Sequence, residues 1–532
     1  MKKNIARKLS TFLIVIATIC GTPAFSYEHD QPTSVSMIDS GPIRGIDNGK
    51  LFSYLGIPYA KPPVGEFRWQ PPQAPEPWTE TYNATKISNQ CVQNSDLGAF
   101  ATPGGQEDCL YLNVYTPRTA KMTQDLPVFV WIHGGSLWVG QGADYDPSKI
   151  VEQQNAIVVT FNYRLGMFGF FAHPDIKKEN KPYANYGQMD QSFALDWVQR
   201  NISSFGGDPK NVTIAGESSG GTSVLAQVIS PWNKGKFQNA VIMSGSSMVL
   251  KYPNFGAPRP LDVAEKVATD FATAVGCKKQ NAECLRNLTI GQILATQTPY
   301  MINQTIIDGD FMPISPAQAI QEGQINDVTV MVGTNRDEGR FFAGFTENET
   351  KKPLTEKSYY ETLDAFFGIE LATIIKQQYP ISEYNSASEA YSAVMTDYLF
   401  SCPANRLMHS LSEHTKVYAY EFSDRTAPSY LKPTTFPQGA YHTAELAYLF
   451  PGFHGGKVGQ PIVLNYLQEV LSNEIIQYWV TLTQSNKWKN WKPYNSKKEN
   501  VYRLMLPKSH SLTKGRYISD HQCSFWDTTN VY

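Results

Sequence analysis

The stretch Asn211-Val-Thr-Ile-Ala-Gly-Glu-Ser-Ser-Gly220 decides the fold, because it joins a strand pattern to a sharp turn. Residues 212–215 form a mostly apolar run, and residues 216–220 match the pattern G-x-S-x-G. The glycines two positions before and after Ser218 remove side chains that would clash in a tight strand-to-helix turn. Such a turn exposes the serine oxygen at a helix N-terminus, where backbone N–H groups stabilise negative charge. The stretch therefore predicts Ser218 as a nucleophile.

Similar apolar runs, most of them followed by glycine or a polar turn, recur along the chain. They predict strands at 126–132, 156–161, 240–243, 328–332 and 417–420. Helical patterns are clearest at 191–200, 261–275 and 464–481. Near-continuous apolar strands alternating with helices predict an α/β protein with a large, mostly parallel sheet covered on both faces. In such sheets ligands bind beyond the carboxyl ends of the strands.

A glycine-rich loop follows the run at 126–132. His133-Gly134-Gly135-Ser136 resembles the HGGG-type loop that supplies an oxyanion hole. Glycine leaves the backbone N–H groups unobstructed, so that they can point at a developing negative charge. The predicted donors are the amides of Gly135, Ser136 and Ser219, and the alternative for this loop is an ordinary glycine turn.

The acid and the base that assist the serine are expected later in the chain. Proteins with this type of strand-to-helix turn have their catalytic residues in the order Ser, Asp/Glu, His. Asp337 and Glu338 both follow the predicted strand at 328–332 and compete as the acid. His442 lies in a predicted loop after a later strand, and it is one of nine histidines. The order of residues therefore narrows the choice of acid and base without completing it.

Length and composition favour a single large domain. The 532 residues are 42% hydrophobic and 18% charged, with no Pro/Ser-rich linker, charge block or repeat. Four basic residues and an apolar run at 11–20 precede Ala24-Phe25-Ser26, which is typical of a signal peptide. We expect a signal peptide at 1–26, a catalytic domain at 27–532 and a secreted or periplasmic protein. Lipidation of Cys20 is the alternative.

Charge and hydropathy exclude two classes of partner. The formal net charge of −2 becomes −6 once the four basic residues of the leader are removed, and there is no basic stripe. This disfavours nucleic acid and anionic membranes as partners. After residue 26, no stretch is long and apolar enough to predict stable membrane insertion. The sequence does not indicate the oligomeric state.

The cysteines predict disulfides rather than a metal site. Seven are present, and six remain outside the leader: Cys91, Cys109, Cys277, Cys284, Cys402 and Cys523. An even number in an exported chain is typical of disulfides, with buried thiols as the alternative. No pair has C-x-x-C spacing and no histidine cluster is nearby, so we expect no metal and no cofactor.

Several further motifs resemble the type-B carboxylesterase family, which includes cholinesterases and bacterial carboxylesterases. The resemblance extends over nearly the whole mature chain and implies an α/β-hydrolase fold. Its motifs are Gly56-Ile-Pro-Tyr-Ala-Lys-Pro-Pro-Val-Gly65, Phe67-Arg-Trp69, Glu107-Asp-Cys-Leu-Tyr-Leu-Asn113, Asn162-Tyr-Arg-Leu-Gly166, Asp190-Gln191 and Phe205-Gly-Gly-Asp-Pro209.

The resemblance also implies roles for particular residues. It makes Ser218 the nucleophile, Glu338 the acid and His442 the base. The remaining implied roles are bracing of the triad by Glu217 and Ser244, disulfides Cys91–Cys109, Cys277–Cys284 and Cys402–Cys523, and the structural ion pairs Arg68 with Glu107 and Arg164 with Asp190.

The sequence departs from the family pattern in three places. Ser136 replaces a third glycine, and Ser219 replaces the usual alanine after the nucleophile. Both still provide a backbone N–H. The segment between Cys91 and Cys109 lacks the tryptophan that binds choline in cholinesterases and contains only Phe100 as an aromatic residue. The absence of this tryptophan disfavours a cholinesterase.

We therefore expect a serine carboxylesterase acting on short-chain or aromatic-alcohol esters, through an acyl-enzyme on Ser218. A lipase acting on longer chains, an amidase or peptidase using the same residues, and a non-catalytic binding or adhesion protein are the alternatives. Six N-x-S/T sequons are present, at Asn83, Asn201, Asn211, Asn287, Asn303 and Asn348.

Overall fold

The computed structural model describes residues 31–94, 103–120, 124–300, 304–454 and 461–532. The predicted signal peptide, including Cys20, lies outside the described residues. Phe100 and the sequon at Asn303 also lie outside them.

A twelve-stranded sheet forms the centre of the described structure. In chain order its strands are β1 Gln31–Pro32, β2 Ile46–Asp47, β3 Leu51–Pro58, β4 Tyr111–Pro117, β5 Leu126–Ile132, β6 Ile157–Phe161, β7 Gly207–Glu217, β8 Asn239–Met243, β9 Thr329–Asn335, β10 Val417–Phe422, β11 Tyr502–Leu504 and β12 His510–Ser511. Their order across the sheet is β1-β2-β3-β4-β6-β5-β7-β8-β9-β10-β11-β12. The strands from β6 to β11 are parallel, and antiparallel strands complete both edges. The predicted mostly parallel α/β architecture is confirmed.

Strand β7, which leads to Ser218, lies in the middle of the parallel region. It pairs with β5 on one side, with Ala215 opposite Trp131, and with β8 on the other, with Ala215 opposite Val241. The carboxyl ends of β5, β7, β8, β9 and β10 therefore meet at one edge of the sheet. The glycine-rich loop, Ser218 and the segment containing Glu338 all begin at this edge.

Side chains on alternate positions of a central strand enter two different cores. Along β5, Val128, Val130 and Ile132 pack in one hydrophobic cluster, while Phe129 and Trp131 pack in another on the opposite face. Helices cover both faces, which is why the strand sequence is apolar at successive positions. The longer helices are Ser148–Gln154, Tyr186–Asn201, Ser219–Ile229, Leu261–Ala274, Ile290–Gln297, Gly339–Thr350, Glu356–Phe367, Ile369–Gln378, Ala387–Met395, Cys402–Leu411 and Tyr466–Val480.

Helix boundaries follow burial and capping. The helix Leu261–Ala274 buries Ala264, Ala268 and Phe271 on one face, which is the periodicity that predicted it. The helix Tyr466–Val480 begins after Asn465, whose side chain accepts hydrogen bonds from two backbone N–H groups of the first turn. These bounds differ from the predicted 261–275 and 464–481 by at most two residues.

For one helix, the predicted first residue lies too far along the chain. The helix Tyr186–Asn201 begins five residues before the predicted start at 191. Its first turns contain Gln188, Asp190 and Gln191, which are fully buried polar residues. Because their burial is satisfied by hydrogen bonds rather than apolar contact, hydrophobic periodicity does not reveal this part of the helix.

Two small sheets complete the architecture. Arg259–Pro260 pairs with Ile306–Ile307, and Gly41–Arg44 pairs with both Ser36–Ile38 and Tyr82–Asn83. Among the described residues, no helix combines the length and the apolar character needed to cross a membrane.

Candidate active site

The turn at Ser218 has the strained geometry that its two flanking glycines predict. Ser218 has a φ of 59° between strand β7 and the helix Ser219–Ile229. A Cβ on Gly216 would lie 2.5 Å from the backbone of Gly220, and a Cβ on Gly220 would lie 2.2 Å from the carbonyl oxygen of Ile132. Only glycine fits at both positions, because real Cβ atoms do not approach backbone atoms so closely.

Ser218, His442 and Glu338 form a continuous hydrogen-bonded chain. Nε2 of His442 lies 2.9 Å from Oγ of Ser218, and Nδ1 lies 2.6 Å from Oε2 of Glu338. A carboxylate can only accept, so Nδ1 is the protonated nitrogen and Nε2 is free to accept the serine proton. This arrangement can increase the nucleophilicity of the serine oxygen.

Glu338 accepts hydrogen bonds from three other residues. Ser244, directly after strand β8, donates its hydroxyl to Oε1 at 2.5 Å, and the amide of Asn335 donates to the same oxygen at 2.7 Å. The backbone N–H of His442 donates to the carbonyl oxygen of Glu338 at 3.3 Å. The two bonds to Oε1 orient the carboxylate, and the third holds the backbone of Glu338 beside that of His442.

The neighbouring acid, Asp337, points elsewhere. Its two carboxylate oxygens accept hydrogen bonds from Arg425 at 2.7 and 3.0 Å. The amide of Ala440 adds a third bond at 3.1 Å. Of the two competing acids, the structure brings only Glu338 to the imidazole.

Two more carboxyl groups lie beside the triad. Oε1 of Glu217 is 3.3 Å from Nε2 of His442, and Glu445 is hydrogen-bonded to the side chain of Asn335. Burial, and then the charge of nearby Glu338, raise the pKa of Glu217 well above 4.5. Burial, and then the charges of Glu217 and Glu338, raise the pKa of Glu445 in the same way. Both shifts favour the neutral acid.

The glycine-rich segment His133–Leu137, which we call the oxyanion loop, faces the serine. Among the described residues, no protein acceptor is bonded to the amides of Gly135, Ser136 or Ser219. A Cβ on Gly135 would lie 2.2 Å from the carbonyl oxygen of Val139, so this position requires glycine. Three free N–H groups beside a nucleophile can bind an oxyanion.

A pocket of about 290 Å³ contains Ser218 and His442. The ring centroids of Phe400 and Phe342 lie 4.8 and 5.5 Å from that of His442. The aromatic residues that line the pocket are Tyr145, Phe255, Phe341, Phe342, Phe345, Tyr391 and Phe400. These aromatic side chains form a large part of the pocket lining beside the catalytic candidates, and we call them the aromatic wall.

The sequence pattern does not single out two further polar residues of the site, Asn335 and Glu445. Asn335 ends strand β9, and Glu445 follows His442 by three residues, so both lie close in sequence to predicted site residues. Their closeness in sequence to the predicted site residues is the only signal for them, and polar residues so placed are too common for that signal to identify Asn335 and Glu445.

The cysteines and the implied ion pairs lie outside the hydrogen-bonded chain of the site. The structure contains the disulfides Cys91–Cys109, Cys277–Cys284 and Cys402–Cys523. Arg68 contacts Glu107 at 2.6 Å, and Arg164 contacts Asp190 at 2.7 Å. Within the part of the chain that the structure describes, no group of three or more His, Cys, Asp or Glu residues could hold a metal ion.

The chain is similar to known proteins in both sequence and fold. Residues 32–526 match the sequence model of the carboxylesterase family. The chain is 34% identical to the para-nitrobenzyl esterase of Bacillus subtilis (strain 168), covering 86% of this chain and 91% of that protein. It is 33% identical to an acylcarnitine hydrolase of Mus musculus, and the match covers 82% of this chain and 79% of that protein. It superimposes on a thermophilic PNB esterase with a TM-score of 0.77 at 30% identity, covering 92% of this chain and 99% of that one.

Proposed function

The chain belongs to the carboxylesterase family and is a serine hydrolase of carboxylic esters with the α/β-hydrolase fold, and from that premise we propose that Ser218, His442 and Glu338 are its catalytic triad. One observation carries the assignment. The hydrogen-bonded chain from Ser218 through His442 to Glu338 joins three loops that follow three different strands. Its buried carboxylate orients the imidazole, and its serine lies in the pocket.

Acylation begins when Nε2 of His442 takes the hydroxyl proton of Ser218. The serine oxygen then attacks the ester carbonyl and forms a C–O bond, while the carbonyl electrons move to the oxygen. The amides of Gly135, Ser136 and Ser219 bind that oxyanion. The carbonyl re-forms, the bond to the alcohol breaks, and His442 donates its proton to the leaving alkoxide.

Deacylation repeats these steps with water. His442 takes a proton from water, the hydroxide oxygen attacks the acyl-enzyme, and the same amides bind the second oxyanion. Collapse of this intermediate releases the carboxylic acid, and His442 returns the proton to Ser218. The carboxylate of Glu338 stabilises the imidazolium that forms in each half-reaction. Ser244 and Asn335 hold Glu338 in place for this role.

The pocket supports uncharged esters of moderate size as substrates. Its aromatic wall favours apolar acyl or alcohol groups, and a volume of about 290 Å³ is at the small end for ligand pockets. The name of the Bacillus relative, para-nitrobenzyl esterase, points to an aromatic alcohol in the same way. We propose short-chain or aromatic-alcohol esters, with longer acyl chains as the alternative.

An exported location is the second part of the proposal. Three disulfides are typical of proteins that fold in an oxidising compartment, and the leader at 1–26 has the pattern of a signal peptide. N-terminal sequencing of the protein recovered from the medium or the periplasm tests it. We expect the mature chain to begin near residue 27, and an uncleaved chain that starts at Met1 would contradict the proposal.

The function is tested with a chain-length series of p-nitrophenyl esters and the variant Ser218→Ala. We expect rapid turnover of acetate and butyrate esters, less turnover of long-chain esters, and loss of several orders of magnitude in kcat in the variant. Ser230→Ala, which removes a hydroxyl at the far end of the same helix, is the control. A folded, oxidised wild type that hydrolyses none of these esters would favour a binding protein instead.

A further inference from the structure

The oxyanion loop and the residue after the nucleophile each contain a serine where the family pattern has a smaller residue. Ser136 stands in place of a glycine, and Ser219 stands in place of an alanine. Ser136 and the next residue, Leu137, both have left-handed backbone conformations, with φ of 58° and 60°. Side-chain-bearing residues adopt this conformation only when surrounding contacts enforce it. The loop therefore needs a restraint that a glycine loop does not need.

The side chain of Ser219 contacts the end of this loop. Its Oγ accepts a hydrogen bond from the backbone N–H of Leu137 at 3.1 Å. Ser219 is the first residue of the helix Ser219–Ile229, yet this hydrogen bond is directed across to the loop, 82 residues earlier in the chain. Because Leu137 is fully buried, the bond also satisfies an amide that water does not reach.

A second hydroxyl holds the beginning of the loop. Tyr163 donates its hydroxyl to the carbonyl oxygen of His133 at 2.8 Å, and the two rings stack with centroids 4.3 Å apart. The hydroxyl groups of Tyr163 and Ser219 therefore hold the two ends of the loop, His133 and Leu137, by one hydrogen bond each. The free amides of Gly135 and Ser136 lie between these ends.

We propose that the hydroxyl of Ser219 is a positioning group for the oxyanion hole. Together with Tyr163 it holds the left-handed conformation at Ser136 and so orients the amide of Ser136 towards the reacting carbonyl. The inference rests on the proposed function, and it separates two roles within one residue. The backbone N–H of Ser219 binds the oxyanion, and its side chain holds the other donors in place.

Substitution distinguishes these two roles, since Ser219→Ala keeps the backbone N–H and removes only the hydroxyl. With p-nitrophenyl acetate we expect kcat to fall about tenfold, with KM within about twofold of wild type. Direct loss of a donor costs about 10²–10³-fold, so a smaller loss is the signature of positioning. The inhibition constant of an aryl trifluoromethyl ketone, whose adduct with Ser218 places an oxyanion in the hole, is expected to rise by a similar factor.

Tyr163→Phe provides a second, independent variant, because it removes the hydroxyl that holds the other end of the loop. We expect a decrease in kcat of similar size. In the double variant, we expect the fold decrease in kcat to be far smaller than the product of the fold decreases in the two single variants. Ser230→Ala again serves as the matched control, with unchanged kcat and inhibitor affinity. Ser219→Thr, which keeps a hydroxyl, is expected to recover most of the activity.

The outcomes separate this inference from the function on which it rests. Wild-type kcat and ketone affinity in Ser219→Ala would overturn the inference, and so would a lower kcat with unchanged ketone affinity. Fully multiplicative effects of the two variants would overturn the joint role of Ser219 and Tyr163. Failure of the proposed function is recognised differently, because the wild type itself would then show no turnover that depends on Ser218.

Discussion

Oε1 of Glu217 lies 3.3 Å from Nε2 of His442, the same ring nitrogen that accepts the hydrogen bond from Ser218. Glu338 lies at the opposite nitrogen of the ring, at 2.6 Å from Nδ1. The imidazole is thus flanked by two buried carboxyl groups. Burial, and then the charge of Glu338, raise the pKa of Glu217 and favour its neutral form, so the environments of the two carboxyl groups differ.

This difference predicts that Glu217→Gln keeps most of the activity at neutral pH. Glutamine has the shape and charge of a protonated glutamic acid, so we expect kcat at pH 7 within about threefold of wild type. The pH profile of kcat/KM between pH 6 and 9 is the measurement. A loss of a hundredfold at pH 7 would mean that the reaction needs a charged group at this position.

The same substitution at Glu338 is expected to be severe. Glutamine cannot stabilise the imidazolium, and its amide group can reverse the tautomer of His442, so we expect kcat to fall about 10²–10⁴-fold with little change in KM. Asp337→Asn is the matched control. It weakens the ion pair with Arg425, and it is expected to lower Tm while leaving kcat near wild type. The reverse pattern would make Asp337 the acid.

The raised pKa of Glu445 predicts a pH-dependent stability. The folded protein holds this proton more tightly than the unfolded chain does, so the group stabilises the fold fully below its ordinary pKa of 4.5. As pH rises above that value, the unfolded chain ionises first and the stabilisation is progressively lost. The free energy of unfolding, measured with urea, is expected to decrease less between pH 5 and pH 8 in Glu445→Gln than in the wild type. Parallel pH profiles for the two proteins would contradict this.

The disulfides are expected to differ in their contribution to stability. Cys402–Cys523 joins residues 121 positions apart, whereas Cys277–Cys284 joins residues seven positions apart. Because a longer loop loses more entropy on closure, replacing the first pair by alanine is expected to cost about 4–5 kcal/mol of unfolding free energy, against roughly 2–3 kcal/mol for the second. Denaturant unfolding of the two double variants measures the difference, and equal losses would contradict the loop-length argument.

The amino-acid sequence alone predicts the architecture because its determinants are local. Two glycines two positions from Ser218 allow only one kind of turn, and apolar strand patterns before that turn place it in a covered parallel sheet. The predicted strand at 126–132 matches its observed bounds, and β7, β9 and β10 extend beyond theirs. Prediction failed where polar residues are buried, as in the first turns of the helix Tyr186–Asn201.

The cysteines illustrate the limit of counting. Their even number and the leader predict disulfides, but six cysteines allow 15 pairings, and the residues alone do not choose among them. The resemblance to the family implied one set of pairs. The fold determines which cysteines pair. A disulfide forms only where the backbone brings the Cα atoms of two cysteines to about 5–6 Å from each other, as at the three observed pairs.

The choice between Asp337 and Glu338 shows what only the tertiary structure decides. The two acids are adjacent in sequence, yet they point in different directions, one to Arg425 and the other to a histidine 104 residues away. The raised pKa values of Glu217 and Glu445 likewise arise from burial by many segments and from the charge of Glu338. A turn depends on the atoms of a few consecutive residues, so sequence determines it. A hydrogen-bond distance across the site, or the pKa of a buried acid, depends on how distant segments pack, so only the folded chain determines it.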